Sequence, residues 1–325
     1  MCGLTAIFSY GGAARPVDAS ELTRINAHMM ARGPDGDGLW MAGDGLAGLA
    51  HRRLAIIDPG PGGAQPMCLD GDDGSPRLVI TYNGEIYNFR QLRDELIAAG
   101  RDIRTHSDTE VLLHLYDRDG PEMVRRLRGM FAFAIYDASN RTIFLARDPF
   151  GIKPLYYADD GETIRVASQV KALRAGGAIA DTPDAAGHAG FFLLGYVPEP
   201  HTMLKAVKSL PAGATMRIEA GSAPKIEQYF RIGDQLQRPE ARLAPGEMAA
   251  RLRDALGDSV RHHLVSDVPV GVFLSAGLDS ATITALAAEV SGASLDTMTL
   301  RFDEMTGTPG DEAPLAEQIA GQYGT

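Results

Sequence analysis

Long apolar runs are missing from this 325-residue chain. The strongest, residues 191–197, is far shorter than the ~20 residues a membrane-spanning helix needs, and it ends at Pro198. No membrane partner is expected. Cysteine is scarce too: Cys2 and Cys68 are too few for a disulfide framework, so both thiols are expected to be reduced and free for chemistry. The first residues, MCGLTAIFSYGG, lack the basic start and apolar block of a secretory signal, which points to a cytoplasmic location. Basic runs are also absent. With 31 Lys and Arg against 42 Asp and Glu, the net charge is −11, and nothing resembles a phosphate-backbone footprint, so nucleic acid is not an expected partner. No repeat or low-complexity tract is visible, which sets solenoids and propellers aside. What remains, 45% hydrophobic and 22% charged, describes a soluble globular protein long enough for roughly two domains.

Up to about residue 157, short β-branched and aromatic runs recur: LTAIFSY, LAIID, LVITYNGEIYN, MFAFAIYD, TIFLARD and PLYYAD, each bounded by Gly, Pro, Asp or Asn. They read as strands of antiparallel sheets. Helices are predicted over 89–99, with Leu92, Leu96 and Ile97 on one face, and over 108–118, where Ser107 and Glu110 suggest a capping box. Helices layered on sheets make an α+β domain, assigned to residues 2–220. Residues 221–246 are polar and Pro-bearing and read as a linker. From 247 the pattern becomes helix, strand (VPVGVFL), loop, helix, strand (LDTMTLRF) and helix, an α/β parallel sheet with too few strands to close, so the second domain, 247–325, reads as truncated.

A Cys directly after the initiator Met is informative. Removing Met1 gives Cys2 an α-amine of ordinary pKa about 7.7 to 8.0, able to take the thiol proton as an internal base. Cys68 has no such company and reads as incidental. Downstream stand RGPDG (32–36), HRRLAIID (51–58), YNGEIYN (82–88), SDTE (107–110), RGMFAFAIYD (128–137) and RDPFGIKPLYY (147–157). This ordered set resembles the class II glutamine amidotransferases, which are N-terminal-nucleophile hydrolases, and within them the asparagine synthetase family. The resemblance implies a four-layer αββα sandwich.

Amide hydrolysis through a thioester needs donors aimed at an oxyanion, and Asn83 with its side-chain amide and Gly84 with its backbone N–H suit that role. Arg53 suits the glutamine carboxylate through its planar fork. The resemblance likewise selects Arg53, adds main-chain groups of Leu54, Ala55, Ile56 and Ile57, and gives the glutamine ammonium to Asp108, with Glu85 as a second anion.

The segment VFLSAGLDSATITAL places small residues between a strand and a helix, a backbone anion site without the GK[ST] of a Walker loop. It resembles the pyrophosphate loop of ATP pyrophosphatases. By that likeness Ser275, Gly277, Leu278 and Ser280 belong to the ATP loop, Asp279 holds Mg²⁺, and Leu274 and Leu300 flank the adenine. Ala276 departs from the family's glycine, which would weaken binding if that position required positive φ.

Together these imply a glutamine-dependent asparagine synthetase: ammonia released at Cys2 attacks an ATP-activated aspartate, with L-glutamine, L-aspartate and ATP as partners and a homodimer as the family's common state. Alternatives are another carboxylate acceptor or a catalytically silent regulatory module. A β-lactam-forming relative is disfavoured by Cys2 with NGE, and sugar-phosphate or phosphoribosyl amidotransferases by SAGLDS.

Overall fold

Gly3–Ser9 (β1) shows how the first unit is built. Leu4, Ala6 and Phe8 point into one core while Ile7 points into another, the period-two pattern of a strand covered on both faces. The computed structural model describes residues 1–237, 243–291 and 295–325, and the chain forms two units, Met1–Arg238 and Pro239–Thr325.

In the first unit, β1 lies in a six-stranded antiparallel sheet with Gly36–Met41 (β2), Ala47–Arg53 (β3), Tyr156–Asp159 (β8), Thr163–Ala167 (β9) and Val207–Ser209 (β10), in the order β10-β8-β9-β1-β3-β2. A second antiparallel sheet comprises Met67–Asp70 (β4), Pro76–Ile86 (β5), Gly129–Asp137 (β6), Thr142–Arg147 (β7), Ala214–Glu219 (β11) and Lys225–Gln228 (β12), in the order β12-β11-β7-β6-β5-β4. The sheets pack face to face over a core that includes Leu4, Phe8, Val79, Tyr136 and Leu145. Each such side chain contributes about 1.5–3 kcal/mol on leaving water. Ala19–His28 (α1) and Val170–Ala175 (α4) cover the outer face of the first sheet, and Asp108–Asp119 (α3), packed beside Phe89–Ala98 (α2), covers that of the second. The result is the expected α+β sandwich of layers α, β, β, α. Ala185–Leu194 (α5), capped by Asp184, ends in the apolar run at 191–197, and its Phe192 and Leu193 are 82% exposed.

Three local expectations need correction. LAIID is not a strand: β3 stops at Arg53, and the Leu54 N–H and carbonyl pair with the Cys2 sulfur instead of a neighbouring strand. The capping box at α3 is half formed. Ser107 Oγ accepts from Thr109 N, but Glu110 reaches further back, to Arg104 N and to Thr105 N and Oγ1. Finally, the polar stretch read as a linker carries β12, which extends the second sheet, and a short helix, Ile232–Leu236 (α6).

The second unit has Pro245–His263 (α7), Gly271–Phe273 (β13), Leu278–Ser291 (α8), Asp296–Met298 (β14) and Ala313–Tyr323 (α9). β13 and β14 pair in parallel, as the α/β pattern predicts. The helix α7 buries none of its residues, and Leu278 and Leu300 are largely exposed.

Candidate active site

The space between the two sheets changes character along its length. At one end it is wholly apolar; toward the start of β1 it becomes polar. Cys2 continues the inward row of Leu4, Ala6 and Phe8, while β3 contributes His51 beyond Leu49, and β5 contributes Thr81, Asn83 and Glu85 beyond Val79. His51 ties the sheets together at this level. Its Nδ1 lies 3.2 Å from Thr81 Oγ1, whose own proton goes to the Ala50 carbonyl at 3.0 Å, so Nδ1 must be the donor. Burial, assisted by Arg53, holds the imidazole pKa down at about 3, so His51 stays neutral at physiological pH.

Cys2, Arg53, Leu54, Gly84, Glu85 and Asp108 line one small cavity, together with Ile56 and Ile57. Ala55 does not line it; its N–H donates to Asp35 Oδ2 at 2.9 Å. Cys2 Sγ accepts from Leu54 N at 3.3 Å and faces the Leu54 carbonyl at 3.5 Å. Burial pushes the thiol pKa up, partly offset by that N–H. The cavity therefore supplies shape and contacts but leaves the thiol protonated until a base acts.

Asn83 is 1% exposed, and its Nδ2 has no hydrogen-bond partner. A buried, unsatisfied amide donor is costly unless something else takes it up. Gly84 follows it on β5. A Cβ there would lie 2.3 Å from the Met130 carbonyl and 2.8 Å from Phe131 Cα, so β6 packs too closely for any larger residue.

Asp108 opens α3 and is 4% exposed. Its Oδ2 accepts from Tyr82 OH at 2.8 Å and Ile86 N at 3.0 Å. Burial raises its pKa to about 6, despite those two donors. The carboxylate is thus ionised at neutral pH but short of a countercharge, a suitable seat for an ammonium.

Arg53 is held by the loop after it. Its Nη1 donates to Gly60 O at 2.7 Å and its Nη2 to Asp58 O. Asp58 adopts φ +46°, a left-handed conformation uncommon outside glycine, and its Oδ2 accepts from His106 N at 3.2 Å. One residue therefore connects the segment carrying Arg53 to the one leading into Asp108. Gly63 completes the fit, since a Cβ there would come within 2.1 Å of Arg53 Nη2. Two donors of the fork are thus engaged by carbonyls of that loop.

Residues without an assigned role in the sequence also reach this region. Arg32 Nε donates to the Cys2 carbonyl at 2.9 Å, and Lys153 is buried with Cys2 and Glu85 among the charges acting on it. Their signal was present, because RGPDG and RDPFGIKP are among the motifs of the resemblance.

In the second unit, Ser275 and Ser280 lock the loop before α8. Their hydroxyls lie 2.8 Å apart, Ser275 N donates to Ser280 Oγ at 3.2 Å, and Gly277 N donates to Ser275 Oγ at 3.2 Å. Ala276 lies outside the positive-φ region, so its Cβ brings no backbone strain. Its N–H faces Glu312 Oε2 at 3.4 Å. Leu274 is buried and bonds to Met298 O, whereas Leu278 turns toward a groove with Leu252 and Leu256 of α7, and Leu300 is exposed just beyond β14. Asp279 lies in the first turn of α8. Among the described residues no three His, Cys, Asp or Glu side chains converge as a metal site.

Residues 1–230 match the glutamine amidotransferase domain, and residues 251–325 match asparagine synthase. Asparagine synthetase (glutamine-hydrolyzing) 1 of Bacillus subtilis is 36% identical over 325 residues, covering 100% of this chain and 49% of that protein. A putative asparagine synthetase of Mycobacterium tuberculosis is 39% identical over 302 residues (88% of this chain, 46% of that one), and asparagine synthetase B of Escherichia coli is 34% identical over 297 (88% and 44%). The chain thus spans about half the length of these curated relatives. Among solved structures, the glutamine phosphoribosylpyrophosphate amidotransferase of B. subtilis shares the fold, with a TM-score of 0.51 at 20% identity over 98% of this chain and 70% of that one. With the amidotransferase match covering residues 1–230, the chain belongs to the glutamine amidotransferase family, in the domain arrangement of the glutamine-hydrolysing asparagine synthetases.

Proposed function

We propose that this chain hydrolyses glutamine at Cys2 and serves a glutamine-dependent asparagine synthesis. The observation that carries the reading is one cavity lined by Cys2, Arg53 and Asp108 together. In that frame Arg53 takes the glutamine α-carboxylate and Asp108 its α-ammonium, with Glu85 adding negative potential and the chain at 54–57 lining the side. The amine freed by loss of Met1 removes the thiol proton. Sulfur then attacks the side-chain amide carbon, and Asn83 Nδ2 and Gly84 N–H receive the oxyanion. Ammonia leaves, and water releases glutamate from the thioester.

In the second unit the same reading gives ATP to the 274–280 loop. Backbone N–H groups and the start of α8 face the phosphates, Ser275 and Ser280 fix the loop's shape, and Leu274 and Leu300 border the base. Asp279 supplies one hard oxygen, which fits Mg²⁺, an ion that takes its other ligands from phosphates and water. The acceptor is aspartate, by likeness to the relatives. The test of the first step is release of ammonia and glutamate from glutamine by the full chain with Met1 removed. Equal release of the two supports it; no release overturns it.

A further inference from the structure

The loop after β7 is held by an unusual number of internal bonds. Asp148 is fully buried, and its carboxylate accepts from the N–H groups of Phe131 (3.3 Å), Phe150 (3.0 Å), Ile152 (3.0 Å) and Lys153 (2.9 Å). Arg147 Nε donates to the Lys153 carbonyl at 2.9 Å, and its Nη2 to the Gly151 carbonyl at 2.8 Å. Asp148 N also donates to Phe131 O at 2.8 Å, and Phe131 is the cross-strand partner of Gly84. The loop is therefore fastened to the strand pair that carries Asn83 and Gly84. Two residues further on, Leu155 lies in the core between the sheets, and Lys153 itself has only 5% of its surface exposed. The charged groups acting on it are Glu85 of β5, Cys2 next to the start of β1, Arg32 and Asp148, and it acts in turn on the amino group of Met1, the neighbour of Cys2. Burying an ammonium is costly. The bonds of Asp148 and Arg147 fix the backbone that carries it in place despite that cost.

We propose that Lys153 is a positioning residue for charge at Cys2, its ammonium keeping the α-amine of residue 2 in the neutral, proton-accepting form and stabilising the thiolate. This rests on the glutaminase reading. The thiol proton moves to the amine, the C–S bond forms as the amide π electrons move to oxygen, and the C–N bond breaks as the ammonium returns its proton to the departing nitrogen. Lys153 keeps its own proton throughout. A fixed positive charge lowers the pKa of both amine and thiol, while Glu85 opposes it and Arg32 reinforces it.

The test compares wild type, Lys153→Arg, Lys153→Met and Lys153→Gln as full chains with Met1 removed. It reads the pH profile of kcat/KM and, separately, the rate of Cys2 alkylation by iodoacetamide. Both neutral variants should move the acid limb of each profile up by about one pH unit, roughly a tenfold loss near pH 7, with recovery in alkaline buffer. Lys153→Arg should stay within about twofold of wild type. Unmoved limbs, or an equal loss at every pH with a lowered Tm, overturn the inference. Alkylation at Cys2 without any ammonia release by wild type overturns the glutaminase reading instead, and the alkylation profiles still judge Lys153.

Discussion

The two units expose their polar chemistry in opposite ways. In the first, Cys2, Arg53, Gly84 and Asp108, from four distant segments, line one cavity through sheet register and buried loop bonds, with Asn83 buried next to Gly84 and Lys153 buried on the loop after β7. In the second, the loop proposed for phosphates is one contiguous stretch, 274–280, with exposed leucines around it and a preceding helix that buries nothing. Assembly from afar costs order but yields desolvated groups with perturbed pKa values, which is what covalent chemistry uses. A contiguous loop needs little scaffold, because its donors are backbone N–H groups that any residue carries.

The largest effect should come from removing the nucleophile. Cys2→Ala is expected to cut glutamine hydrolysis by roughly 10³-fold or more with an unchanged circular dichroism spectrum and Tm. Near-normal ammonia release by this variant would end the account of the first unit.

Next is Asn83, the proposed oxyanion donor. Asn83→Ala should lower kcat by about 10² to 10³ while leaving KM within a few-fold, since the donor acts chiefly on charge that develops during reaction. Steady-state kinetics showing the loss wholly in KM would instead make Asn83 a binding group.

Weaker again are changes to substrate binding. Arg53→Ala and Asp108→Ala should raise KM more than they lower kcat, and Gly63→Ala should raise KM by displacing the Arg53 fork. Asp108 adds a pH signature. With its pKa raised to about 6, the carboxyl protonates as pH falls below 6, so glutamine KM should climb there in wild type. The stability linkage has the opposite sense. A carboxyl whose folded pKa is raised contributes stability that is present below its unfolded pKa, near 4, and lost as pH rises through 6. Asp108→Asn, which can still accept from Tyr82 and Ile86, should therefore leave the free protein at least as stable at pH 7. Thermal melts of the two proteins at pH 5 and pH 8 check this, and a lower Tm for the variant at pH 8 would contradict it.

The smallest effect belongs to the second unit. Ala276→Gly should change ATP affinity by less than about threefold, because Ala276 carries no positive-φ strain to relieve. Isothermal titration showing a tenfold gain would mean that its Cβ obstructs the phosphates.

These contrasts also explain what could be read from sequence. The strands of β5, β6 and β7 and the helices α2 and α3 were legible because their period is strong and their ends carry Gly, Asp or Asn. LAIID has the β-branched composition of a strand, but its backbone bonds go to side chains instead of a neighbouring strand: Leu54 to the sulfur of Cys2, 52 residues away, Ala55 to Asp35 and Asp58 to Arg53. Glu110 was assigned to a capping box by spacing, yet the turn at 104–105 offers it three donors instead of one. The segments lining the cavity could be named from motifs, but Asp58, Gly63 and Lys153 could not be given roles, because they act through loops whose course depends on the whole sandwich. The orphaned amide of Asn83 likewise has no counterpart in the one-dimensional pattern, where Asn-Gly reads first as a turn.

Cys68 provides an internal control for the central claim. It is exposed on the edge strand β4, whereas Cys2 is half-buried beneath its cavity, so an indiscriminate electrophile reaches Cys68 more readily. The decisive measurement is mass spectrometry of the Met1-processed chain after treatment with a glutamine-mimicking diazoketone, with and without excess glutamine. One adduct on Cys2, prevented by glutamine, with Cys68 unmodified, is the result expected. Labelling confined to Cys68, or none at all, would contradict the assignment of Cys2 as nucleophile.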